Sequence, residues 1–227
     1  KKFIEKKIKQ KYENINSFFK NKKNKSLIDI GSGKGEFMEF FSNKKWDVAG
    51  VDYSDFGAIN INKKIKNKII IGEADKEIEK LANRNVKFDV VSLNNVLEHV
   101  LNPIQLIKKS KNLLKKNSLI SINVPNDESK FQNFLIKNKL VKKKYWIAYP
   151  DHINYFNRTS LEYLMKKLDL KIIDYISDFP IELFLLNDNS NYINNKSIGK
   201  YAHISRLNFE KYLHSNFNIS EINEFYR

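Results

Sequence analysis

Apolar residues recur through the first two dozen positions at close to helical spacing, at Phe3, Ile4, Ile8, Tyr12, Ile15, Phe18 and Phe19, with lysines between them. The stripe predicts an amphipathic helix over residues 1–24, lying on a sheet edge or over an active site. From Ser26 the pattern changes to short apolar runs at 26–30, 46–52, 68–71, 88–93 and 119–124, which read as buried strands. Segments near 35–43, 55–65, 75–83 and 103–115 carry helical spacing, and Pro103 suits the first turn of the last one. Such alternation predicts an α/β fold with a mostly parallel central sheet and helices on both faces.

After Pro125 the rhythm breaks. Residues 126–156 read as a helix followed by an aromatic-rich loop with Tyr145, Trp146, Tyr149, Tyr155 and Phe156. Asn157 or Thr159 is suited to cap a helix running to about Leu168, and 171–176 reads as a further strand. The polar stretch 187–195 reads as a mobile loop, with helical patterns at 199–213 and 219–227 beyond it. The expected organisation is an N-terminal helix (1–25), an α/β domain (26–178) and a C-terminal helical appendage (179–227).

Composition narrows the chemistry. The 227 residues contain no cysteine, which excludes disulfides, thiolate metal sites and thiol nucleophiles, and leaves four histidines as bases near neutral pH. A formal charge of +15 points first to nucleic acid. The basic residues are almost all lysine, however, with only Arg84, Arg158, Arg206 and Arg227 as guanidiniums, and Asn and Ile are equally abundant. Such joint enrichment fits an AT-rich coding sequence, and base recognition leans on arginine. Nucleic acid is therefore disfavoured as substrate, while an anionic small molecule remains compatible with the charge. No run reaches the roughly 18 apolar residues of a membrane span, and the lysine-rich start lacks a signal core, so the expectation is a cytoplasmic protein.

The chemistry concentrates at Asp29-Ile30-Gly31-Ser32-Gly33-Lys34-Gly35, where a strand runs into a helix through a glycine turn. Glycines there let the backbone turn sharply and approach a ligand closely. Asp52 follows Gly31 by 21 residues at the end of the second strand, the distance at which a βαβ unit brings a carboxylate beside ribose hydroxyls. The rival dinucleotide fingerprint needs its third glycine at position 36, which is Glu36.

These residues resemble the class I S-adenosylmethionine-dependent methyltransferases, in the branch with ubiquinone-type O-methyltransferases and bacterial surface-glycan enzymes. Residues 27–37 resemble the family's first motif, Val51-Asp52-Tyr53-Ser54 its second, Ile71-Gly72-Glu73-Ala74-Asp75 its third, and 88–100 its fourth. The resemblance spans roughly 26–170 and implies S-adenosylmethionine as cofactor. It implies a donor site of Asp29, Gly31, Ser32, Gly33, Glu36, Phe37, Asp52, Tyr53, Ser54, Glu73, Ala74, Asp75, Asn94 and Asn95. Either Glu73 or Asp75 meets the adenine amine, and Asn94 and Asn95 also suit simple turn formation.

Transfer to a hydroxyl needs a base near the methyl group. His99 directly follows the fourth strand, with Glu98 beside it to orient it or act alone; bracing of the next helix is the competing role. His152, in Tyr149-Pro150-Asp151-His152-Ile153-Asn154-Tyr155-Phe156, is the second candidate base, in a stretch resembling the same branch. Tyr149, Asn154 and Tyr155 are the candidate acceptor contacts, His152 being otherwise a loop anchor paired with Asp151. Glu98, His99, Asp151 and His152 lack regular ligand spacing, so no metal is expected. The resemblance implies O-methylation of a small polar acceptor, such as a sugar or glycan in surface-polysaccharide assembly. RNA or protein methylation and an inactive donor-binding scaffold are the alternatives.

Overall fold

The computed structural model describes residues 2–54, 56–58 and 61–226. The chain forms two compact units, Lys1–Pro125 and Asn126–Arg227. Among the described residues, no helix is long and apolar enough to cross a membrane.

The first unit is built on five parallel strands, β1 (Ser26–Ile30), β2 (Asp47–Asp52), β3 (Ile69–Ile71), β4 (Phe88–Asn94) and β5 (Leu114–Asn123), in the order β3-β2-β1-β4-β5. Every residue of β1 is buried, as is β4 up to Leu93. Full burial follows from their central places, with helices covering both faces. The chain winds outward from β1 through β2 to β3, then returns to the other side of β1 for β4. The reversal leaves a crevice beyond the carboxyl ends of β1 and β4, where open α/β sheets bind ligands.

Helices α1 (Lys2–Ser17) and α2 (Glu36–Asn43) share one apolar core. Ile15 and Phe19 bury against Phe37, Phe41 and Trp46, and Tyr12 meets Phe41 edge-on at 5.1 Å between ring centroids. The N-terminal stripe therefore docks a helix onto the sheet's helical layer. At the opposite, amino end of the sheet, Asp89 on β4 has no exposed side-chain surface and accepts from the Ser26 amide at 2.8 Å and from Lys115 Nζ at 3.1 Å. Lys22 also pairs with it. Burial pushes the Asp89 carboxyl up, but these partners outweigh it and hold it below the ordinary carboxylate range.

Two expectations for this unit change. The helix expected at 55–65 is a single 3-10 turn (Phe56–Ala58) followed by the short α3 (Lys63–Lys66), with residues 55, 59 and 60 outside the described set. The helix expected at 103–115 stops earlier, as α5 (Pro103–Lys111), because Leu114 already pairs with Phe88. The next pair is Val90 with Leu119, so residues 115–118 bulge from β5, with Asn117 at a positive φ of 56°. Only the regular part of β5 past the bulge carries the apolar pattern of a strand. The remaining helix, α4 (Ala74–Asn83), lies as expected.

In the second unit, α6 (Lys130–Lys137) opens on a capping box between Ser129 and Gln132. Helix α7 (Arg158–Lys167) is capped by Asn157, whose side chain accepts from the Ser160 amide at 2.9 Å. Thr159 lies inside the helix. Residues 171–176 are not paired into a sheet, contrary to the strand expected there. The stretch 187–195 is fastened rather than loose. Asn191, 1% exposed, donates to the carbonyls of Leu140 and Leu185, beside a small core of Leu135, Val141 and Leu185. Helices α8 (Gly199–Asn216) and α9 (Ile219–Tyr226) follow.

Candidate donor site

β1 ends at Ile30, and the chain turns through Gly31, Gly33 and Gly35 at φ of 71°, 50° and 70°, the left-handed region that glycine enters without strain. At Gly31 space decides as well: a Cβ would lie 2.5 Å from Val96 Cγ2. The Gly31 and Ser32 amides both donate to the Val51 carbonyl, at 2.8 and 3.1 Å. The Gly33 amide donates to Asp52 Oδ2 at 2.7 Å, and the Ser54 amide to Oδ1 at 3.2 Å. Asp52 is thus held at the end of β2 with its side chain turned toward the glycine loop. Gly57 brings the 3-10 turn against the same loop, since a Cβ there would lie 3.0 Å from the Gly33 carbonyl.

On the other flank, Asp29 is 2% exposed. Asn94 Nδ2 donates to Asp29 Oδ1 at 3.3 Å and to Ser92 Oγ at 2.6 Å. Asn94 Oδ1 in turn accepts from Lys11 Nζ of α1 at 3.0 Å. Burial pushes the Asp29 carboxyl up to about 7, opposed by hydrogen bonds from Ser92 and Asn94 and by the Lys11 charge, and assisted by the Asp52 charge. One amide therefore links an ammonium to a buried carboxyl just below the glycine turn.

Asn95 takes a positive φ of 52°, its amide donates to the Asn123 carbonyl at 2.8 Å, and its side-chain carbonyl accepts from Asn123. Its role is the turn, whereas Asn94 is drawn into the polar cluster. Glu73 is exposed just before α4, paired with Lys76 at 2.8 Å, and that hydrogen bond and charge hold its carboxyl below the ordinary range. Asp75, one residue past Ala74, faces Lys109 of α5 at 3.3 Å. Exposed Tyr53 and Ile71 stand at the ends of β2 and β3.

Two residues expected at the donor turn away from it. Phe37 is a core side chain packed 4.7 Å from the Phe41 ring, because the first turn of α2 presents it to the α1 layer. Ser32 points its buried hydroxyl beneath the loop toward Gly50, where a Cβ would meet it at 2.9 Å. Glu36, half-buried, opens α2.

Glu98 is 1% exposed, while His99 keeps 44% of its side chain exposed with Nε2 4.0 Å from Glu98 Oε1. The two sit on a turn closed by the His99 amide on the Val96 carbonyl at 3.0 Å. Capping of α5 belongs instead to Asn102, which accepts from the Gln105 amide at 3.0 Å. In the second unit the His152 amide donates to the Ala148 carbonyl at 2.9 Å, and Tyr155 Oη donates to the His152 carbonyl at 3.1 Å. Tyr149 is 81% exposed and Asn154 half-buried. Asp151 is exposed.

Sequence reasoning missed Lys11, Ser92 and Gly57. Lys11 is one lysine among many on its helix, with no local signal to mark it. Gly57 does carry a signal, as a lone glycine five residues past the second-strand acid.

A glycine cradle at a sheet switch point, a carboxylate at the end of β2, and a buried β1 carboxyl joined through the Asn94 amide to the Lys11 ammonium match the donor site expected of a class I S-adenosylmethionine-dependent methyltransferase fold. The polar groups fit that cofactor: Asp52 suits ribose hydroxyls, and Asp29 with Lys11 suits a zwitterionic amino-acid end. The sequence profile of a methyltransferase-domain family matches residues 2–175, and the chain belongs to that family. It is 31% identical over 146 residues to an uncharacterized protein of Methanocaldococcus jannaschii, covering 64% of each chain. It is 35% identical over 124 residues to a ubiquinone biosynthesis O-methyltransferase of Pelagibacter ubique, covering 54% of this chain and 51% of that one. The chain thus spans about half to just under two thirds of the curated relatives it matches. Among solved structures, the 1,6-didemethyltoxoflavin-N1-methyltransferase of Burkholderia thailandensis, with bound S-adenosylhomocysteine, superposes with a TM-score of 0.55 at 12% identity, covering 74% of this chain and 68% of that one. A SAM-dependent methyltransferase from Archaeoglobus fulgidus gives 0.51 at 19% identity, with 84% and 87% covered.

Proposed function

We propose that this chain transfers the methyl group of S-adenosylmethionine to a hydroxyl of a small polar acceptor, a sugar or sugar-linked group of a bacterial surface polysaccharide. The observation that carries the reading is the convergence of Asp52, the glycine turn and the Asp29–Asn94–Lys11 cluster at the carboxyl ends of β1, β2 and β4. Hydroxyl as acceptor is supported by the O-methyltransferase names of the relatives and by a histidine beside a buried carboxylate just after β4.

The cofactor supplies a methyl carbon on a positively charged sulfur, which departs as a neutral thioether. In this reading Asp52 accepts hydrogen bonds from the ribose hydroxyls, and Glu73 lies on the adenine side. Lys11 pairs with the donor's carboxylate and Asp29 with its α-ammonium. As the acceptor oxygen bonds to the methyl carbon and the carbon–sulfur bond breaks, His99 takes the hydroxyl proton, and Glu98 steadies the resulting imidazolium. Alignment of donor and acceptor supplies much of the remaining acceleration. Tyr149, Asn154 and Tyr155 are assigned to acceptor recognition, with His152 as the rival base. Methylation of RNA or protein is the second reading, favoured by the charge of +15.

A donor-turnover assay across sugar nucleotides, glycan fragments and RNA, run with wild type, His99→Ala and His152→Ala, tests this. Turnover of a saccharide is expected, reduced roughly 10²- to 10⁴-fold in the variant lacking the base. Turnover of RNA alone overturns the acceptor class, and full activity in both variants removes the base assignments.

A further inference from the structure

Asp29 is enclosed on several sides. Ser92 and Asn94 of β4 hydrogen-bond with it, the Lys11 ammonium of α1 acts on it electrostatically, and Asp52 of β2 is the like charge facing it. Lys11 reaches this group through the Asn94 amide, at 3.0 Å from Asn94 Oδ1. With 2% exposure, water contributes little to holding a charge on Asp29, and a second carboxylate nearby opposes that charge.

We propose that Asp29 is a proton-exchanging anchor: it is neutral in the donor-free protein and releases its proton to solvent as it takes the donor's α-ammonium. This rests on the donor site assigned above and deepens it, giving donor affinity a built-in dependence on pH. The exchange balances: the carboxyl O–H breaks, its proton leaves to buffer, and the ammonium keeps its own protons. Asn94 and Ser92 stay in place as neutral donors.

The raised carboxyl, at about 7, sets the window. Below it, donor binding must first remove a proton, so affinity falls by up to tenfold for each unit of pH. Above it, affinity is flat until the donor's own α-ammonium loses its proton.

The test is calorimetric titration of S-adenosylhomocysteine into the full chain at pH 6, in two buffers of different ionisation enthalpy, together with dissociation constants from pH 5.5 to 7.5. Close to one proton released per ligand is expected for wild type, with affinity rising up to tenfold per unit between pH 5.5 and 6.5 and levelling above 7. Asp29→Asn is expected to bind more weakly, with no release and a flat profile. Tight wild-type binding with no proton released and a flat profile overturns this proposal and leaves the donor reading standing. Wild type that fails to bind at every pH overturns both. Proton release that persists in Asp29→Asn assigns the exchange to another group and also overturns the proposal.

Discussion

Asp52 Oδ2 accepts a hydrogen bond from the Gly33 amide at 2.7 Å, which ties the end of the second strand to the crown of the glycine turn. The carboxylate thus shapes the cradle before any ligand arrives. Charge-assisted bonds of this kind are about twice as strong as neutral ones. Asp52→Asn keeps the size of the side chain but loses the charge, and donor affinity should fall roughly 10- to 100-fold. Calorimetric titration with S-adenosylhomocysteine reads the loss, and an unchanged dissociation constant would count against Asp52 as a donor contact.

Gly31 combines a positive φ of 71° with 2.5 Å between a notional Cβ and Val96 Cγ2. Gly31→Ala should lower stability by roughly 1–3 kcal/mol, from backbone strain and overpacking together. Adding Val96→Ala relieves only the packing part. Denaturant unfolding of the single and double variants should show partial recovery; none would mean that strain alone accounts for the cost.

Asp29 ties protonation to stability. Its carboxyl is about 7 folded against 3.8 for the ordinary side chain, so the folded protein holds a proton that the unfolded chain has lost between those values. Stability from this group is complete below pH 4, falls as pH rises toward 7, and is flat above. The total loss is roughly 4 kcal/mol. Asp29→Asn should therefore be more stable than wild type at pH 8 and lose the decline between pH 4 and 7, as unfolding midpoints across that range will show.

Asp89 behaves in the opposite sense. Its carboxyl is held low by Lys22, Ser26 and Lys115, so its contribution is present above the unfolded carboxylate range and is lost as pH falls through the folded value. Asp89→Ala leaves the buried Ser26 amide without its acceptor and should cost roughly 2–4 kcal/mol at neutral pH. Chemical denaturation should find the difference shrinking in acid.

Lys11→Met keeps much of the apolar stem of the side chain and removes its ammonium from Asn94. We expect donor affinity to fall roughly tenfold and its salt dependence to weaken, with the melting temperature little changed because Tyr12 and Ile15 still anchor α1. Equal affinity for variant and wild type at low salt would remove Lys11 from the site.

Local pattern determined much of this molecule. Continuous apolar runs at 26–30 and 88–93 require burial on both faces, and helical spacing between strands requires crossovers, so the parallel α/β layout was legible. Gly31, Gly33, Gly35 and Asp52 were equally legible, since a tight turn demands glycine and a βαβ unit sets the distance to the acid. The bulge in β5, by contrast, arises because Leu114 must pair with Phe88 while Leu119 pairs with Val90, a register invisible in either segment alone. The inward turn of Ser32 and Phe37 depends on what packs beneath the loop and against α2. Lys11 and Asn94 lie 83 positions apart, and Asp29 and Asn94 65 apart. Strand order and the docking of α1 bring them together, which is why only the tertiary structure could place an ammonium and a buried carboxyl on the same amide.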